Sequence, residues 1–99
     1  MRLTKAVELL QKGETFTYRG KGNSMTPYLK NKEKVQARPI DREIQVGDIV
    51  LCKVHGWHME HYVTAIKDDQ YQISNAHGHV NGWTNRDHIY GFITKVEGD

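Results

Sequence analysis

The chain has a single cysteine, Cys52, among ninety-nine residues, which excludes an internal disulfide. Cys52 sits in the run Ile49-Val50-Leu51-Cys52, the setting of a buried strand residue rather than of a reactive thiol. A reducing, cytoplasmic compartment suits such a chain. Long hydrophobic runs are missing as well. The stretch from Met1 to Leu10 is interrupted by charges and is too short in apolar residues for a signal peptide or a membrane span. A soluble protein, unprocessed at its N-terminus and with no membrane partner, is the expectation. Charge of one sign is scarce: fourteen Lys and Arg against twelve Asp and Glu leave a net charge of +2. These charges are dispersed, with no stripe of basic and aromatic residues, so nucleic-acid binding is not expected. Repeats and low-complexity segments are absent, and the length fits one domain with a modest core that needs no metal or disulfide staple.

What is present divides into one helical and several extended segments. Leu3, Ala6, Val7 and Leu10 fall at the spacing that shares one helix face, and Gly13 stands where a C-terminal cap belongs. A short amphipathic helix over 3–12, covering the core, is predicted. The period then changes. Thr15 to Tyr18 alternates, Lys34 to Arg38 reads as a strand stopped by Pro39, and Val46-Gly47-Asp48 opens a strand from Ile49 to Val54. A hairpin turn at His55-Gly56 leads into His58 to Ile66, and Lys67-Asp68-Asp69 turns into Tyr71 to Ser74. The Gly-, Asn- and His-rich stretch Asn75 to Trp83 reads as a loop before a last strand near His88 to Val96. Short strands at regular spacing with one helix predict a mainly β, partly closed barrel-like domain.

The most informative segment is Gly22-Asn23-Ser24-Met25-Thr26-Pro27-Tyr28. A serine between a flexible Gly-Asn and a rigid Met-x-Pro is held on a constrained turn, where its hydroxyl can be presented as a nucleophile. Downstream come Val46-Gly47-Asp48-Ile49-Val50 and His61-Tyr62-Val63. Taken in order, these motifs resemble the S24/S26 serine peptidases, the superfamily of LexA-type repressors and signal peptidases, from about Tyr18 to Val96. The resemblance implies a LexA/signal-peptidase-like, partly closed β domain carrying a serine nucleophile. Some members of that superfamily present a lysine base and others a histidine. The strand from Met59 to Ile66 contains no lysine, so His61 matches the histidine form.

Strand alternation puts His61, Val63 and Ala65 on one face and Tyr62, Thr64 and Ile66 on the other. A neutral imidazole suits proton abstraction near neutral pH. The resemblance puts one oxyanion donor at the Ser24 N–H, within an oxyanion and substrate-binding segment Asn23, Ser24 and Met25. Met25 also reads as a plug beneath the turn. Histidine-type members orient the ring with an aspartate, but the matching stretch here, Ile73 to His79, holds no acid. Asp48 reads as structural and Asp87 as a distant substitute. The sequence thus predicts a Ser24–His61 dyad acting on another protein or a peptide, with no cofactor. The alternative is a catalytically silent member of the fold that binds peptides through its groove. Among the six histidines, alternation sets His58 opposite His61 and no ligand set with zinc spacing is completed, so no metal is expected.

Overall fold

A computed structural model describes residues 3–20, 22, 24–26 and 28–96. Asn23 and Pro27, singled out above, lie outside the described residues. Among the described residues the architecture is mainly β: one short helix beside a seven-stranded antiparallel sheet.

The helix, α1 (Thr4–Gln11), buries Ala6 and Leu10, as its apolar spacing requires. It ends in a Schellman motif, with Gly13 N–H donating to the Leu10 carbonyl and Glu14 N–H to the Leu9 carbonyl. Gly13 takes φ +83° there, which explains a glycine at that position.

The strands are β1 (Phe16–Arg19), β2 (Lys34–Arg38), β3 (Ile49–Val54), β4 (Trp57–Lys67), β5 (Gln70–Ser74), β6 (Val80–Asn85) and β7 (Ile89–Lys95). Their order in the sheet is β1-β2-β7-β3-β4-β5-β6. The β3–β4 turn is His55-Gly56, both at positive φ, a pairing whose twist matches that of the flanking strands.

Central β3 separates two apolar clusters. Ile49 and Leu51 pack with α1, Met25, Leu29, Val35 and Ile93. Val50, Cys52 and Val54 alternate to the other face and pack with Val63, Ile73, Ile89 and Phe92. Cys52 is buried and free, and burial pushes its thiol pKa up to about 12, so it is inert as a nucleophile. The sheet coils strongly enough that Thr84 of β6 donates to the Lys53 carbonyl of β3 at 2.9 Å.

Two expectations are corrected. The stretch read as a loop over Asn75 to Trp83 is a loop only as far as His79, and β6 begins at Val80. Asn81-Gly82 is a turn dipeptide by composition, but here it forms a bulge where the β5–β6 register shifts, with Gly82 at φ +145°. In β4 the alternation predicted through Ile66 breaks at Thr64, where the register with β5 shifts. Thr64 Oγ1 there shares a 2.7 Å hydrogen bond with the buried Ser74 hydroxyl.

Candidate active site

Ser24 opens a turn whose position is fixed from both sides. Met25 and Leu29 are buried in the core beneath it, and Leu29 N–H donates to the Met25 carbonyl at 2.9 Å, closing one helical turn. Gly22, two residues before the serine, lies at φ +94° and donates its N–H to Asn31 Oδ1 at 2.9 Å. From across the fold, Ala76 N–H donates to the Ser24 carbonyl at 2.9 Å. Apolar side chains below and a backbone bond from the β5–β6 loop thus leave the Ser24 hydroxyl facing β4.

His61 stands in the middle of β4, opposite Val50 of β3, and is 8% exposed. Its Nε2 lies 2.9 Å from Ser24 Oγ. Its Nδ1 lies 2.8 Å from the side-chain oxygen of Asn81, on β6. An amide oxygen only accepts, so the ring proton sits on Nδ1 and the Nε2 lone pair faces the serine hydroxyl. This is the tautomer that a general base needs. Burial holds the His61 pKa below its ordinary value, the hydrogen bond to Asn81 opposes that shift, and the charge of His79 adds to it. The ring is therefore neutral at physiological pH, with its Nε2 lone pair free to accept the serine proton.

Sequence reasoning brought Ser24 and His61 together and left the orienting position empty. Asn81 fills it with a neutral acceptor, on the strand that was read as loop. A signal for it existed. Asn75 Oδ1 accepts from His77 N–H and His79 N–H at 2.9 and 3.0 Å, an Asx-type loop that reverses the chain, with Gly78 at φ +86°. A reversal that ends at His79 returns a strand beside β5, with Asn81 near its start.

The other candidates resolve as supports. Asp48 accepts two hydrogen bonds from Arg42, at 2.9 and 3.0 Å, and one from Gln45 N–H at 2.8 Å, which fits the structural role expected of it. The Arg42 hydrogen bond, first among several contacts, keeps the Asp48 carboxyl below the usual carboxylate range. His58 accepts from Leu3 N–H at 3.2 Å and packs edge-on against Tyr90, so it serves the start of the helix. Among the described residues no group of three or more His, Cys, Asp or Glu is arranged to hold a metal ion.

Next to Ser24 lies a small cavity of about 10 Å³, room for roughly one water. Gly20, Gly22, Met25 and Glu60 contribute to its wall. Glu60 precedes His61 in β4, is 8% exposed, and accepts from the Tyr18 hydroxyl at 3.4 Å. Burial raises its pKa, partly offset by that hydrogen bond, and raises that of Tyr18 even more strongly.

Comparison with family models, curated proteins and solved structures returns no match. No described helix is long and apolar enough to cross a membrane.

Proposed function

We propose that this chain is a serine endopeptidase of S24/S26 type, with a LexA/signal-peptidase-like fold, acting on a protein or peptide substrate. One observation carries the reading: the continuous relay from Ser24 Oγ through the His61 ring to Asn81 Oδ1, with links of 2.9 and 2.8 Å. In the reaction, Ser24 Oγ attacks the scissile carbonyl carbon as its proton passes to His61 Nε2. The resulting oxyanion is stabilised by the Ser24 N–H, and Asn81 holds the imidazolium through Nδ1–H. Collapse of the tetrahedral intermediate expels the amine, which takes the proton from Nε2. Water then repeats the cycle in reverse and frees Ser24.

The neutral character of Asn81 favours a second reading. An amide orients the imidazole but does not supply the negative charge that a carboxylate sets against the imidazolium, and a slow or silent site that binds a peptide strand fits that deficit. A fluorophosphonate probe separates the two. A peptidase is labelled at Ser24 and loses labelling in Ser24→Ala and in His61→Ala, because nucleophile and base act as a unit. Labelling equal in wild type and His61→Ala would remove the base, and with it the peptidase reading.

A further inference from the structure

Beyond Phe92, β7 has lost its partner on one side. It pairs with β3 only between Ile89 and Phe92, while its pairing with β2 continues to Lys95. β3 begins at Ile49, so β7 runs on past its end there, and a groove of about 380 Å³ lies beside this stretch, lined by Ile49, Phe92, Ile93 and Thr94 among others. Tyr28, four residues after Ser24, and Tyr62, which follows His61 in β4, are on its wall, while Ser24 and His61 themselves do not line it.

Among the described residues, the groove contains a cation without a counter-ion. Arg38 and Arg42 both line it, with guanidinium carbons 5.9 and 4.2 Å from the Phe92 ring centre. Arg42 is spoken for by its two hydrogen bonds to Asp48, at 2.9 and 3.0 Å. Arg38 is not: its Nε is buried and has no hydrogen-bond partner among the described residues. A buried guanidinium N–H without an acceptor is costly, and because this Nε is shut off from solvent, a ligand in the groove would meet the cation at the other guanidinium nitrogens. A planar carboxylate matches the guanidinium fork, and Tyr62 and Thr94, two hydroxyl-bearing residues, line the same groove, whose one acid, Asp48, is already held by Arg42.

We infer that this groove is a carboxylate subsite, in which Arg38 binds an acidic group of the peptide whose backbone is attacked by Ser24. The inference rests on the peptidase reading for the identity of the ligand, while the site itself stands on Arg38 and the groove. A side-chain carboxylate and a chain-terminal one share the chemistry.

Titration of the ¹⁵N-labelled protein, followed at the Arg38 Nε–H resonance, tests the site without any need for catalysis. N-acetylglutamate N-methylamide is the side-chain probe, N-acetylglycine the terminal one, and N-acetylglutamine N-methylamide the neutral control. A saturable shift with either carboxylate and none with the amide supports the subsite and tells which source it takes. No shift with either carboxylate overturns it. In cleavage assays, peptide pools with Glu fixed at the preferred position should exceed matched Gln pools about tenfold or more in kcat/KM, and Arg38→Gln should level the two. Cleavage with equal rates on both pools in the wild type also overturns the inference. Failure of fluorophosphonate labelling with a persisting Arg38 response would discard the peptidase reading and keep the subsite, so the two claims fail separately.

Discussion

Asn81 decides how His61 behaves. Its side-chain oxygen fixes the proton on Nδ1, and without that acceptor the ring has no reason to keep Nε2 free for Ser24. On the proposed peptidase reading, Asn81→Ala should therefore lower peptide hydrolysis by about 10²-fold or more, the scale of a general-base contribution, while the fold persists. Circular dichroism beside the rate measurement checks both parts. In the wild type, where burial depresses the His61 pKa, the rate should rise with pH through a midpoint below the ordinary imidazole value of about 6.5. Asn81→Asp adds a negative charge next to Nδ1 and should move that midpoint upward. A pH profile identical in the two proteins would show that residue 81 does not act through the ring.

At the scale of elements, β6 carries more than its length suggests. It is the outer strand of its side of the sheet, yet it supplies Asn81 and reaches β3 through Thr84. The bulge at Gly82 permits this, because an added Cβ would meet His55 Nε2 at 2.8 Å and Val54 Cγ1 at 3.1 Å, in a backbone conformation that side chains disfavour. Gly82→Ala should cost about 1–3 kcal/mol, with the thermal midpoint falling by about 4–8 °C per kcal/mol in a domain of this size. It should slow hydrolysis as well, by displacing Asn81. An unchanged midpoint would mean that the bulge relaxes freely. The same bulge explains what the sequence concealed. β2 and β3 were legible to the residue because alternation and branched apolar side chains agree with their surroundings, and the nearness of Ser24 to His61, 2.9 Å apart, was legible from their flanking motifs. The strand β6 was not, because Asn-Gly inside it imitates a turn, and the partner of the His61 ring was sought as an acid when the structure puts the Asn81 amide there.

Across the whole molecule, two buried ionisable groups in adjacent positions of β4 pull the pH dependence of stability in opposite directions. His61 has its pKa lowered by burial, so stability is lost as pH falls below about 6.5 toward the folded-state value. Glu60 has its pKa raised by burial, so the stability present below about 4.3 is lost as pH rises through the folded-state value. Glu60→Gln retains an acceptor for Tyr18 and should raise the thermal midpoint at pH 7, with the gain fading toward pH 4. A midpoint difference that does not vary with pH would show that the charge on Glu60 is not what is being removed. The order of the sheet has a further consequence, for the chain during synthesis. The strand β7 comes after the other six in sequence but lies between β2 and β3, and its Ile93 belongs to the cluster that seats Met25. A chain still on the ribosome with β7 unmade holds two sheet fragments with open inner edges and a serine whose footing is incomplete. Only after Lys95 has left the exit tunnel do the fragments join, so Ser24, His61 and Asn81 are all synthesised before the sheet that holds them together can close.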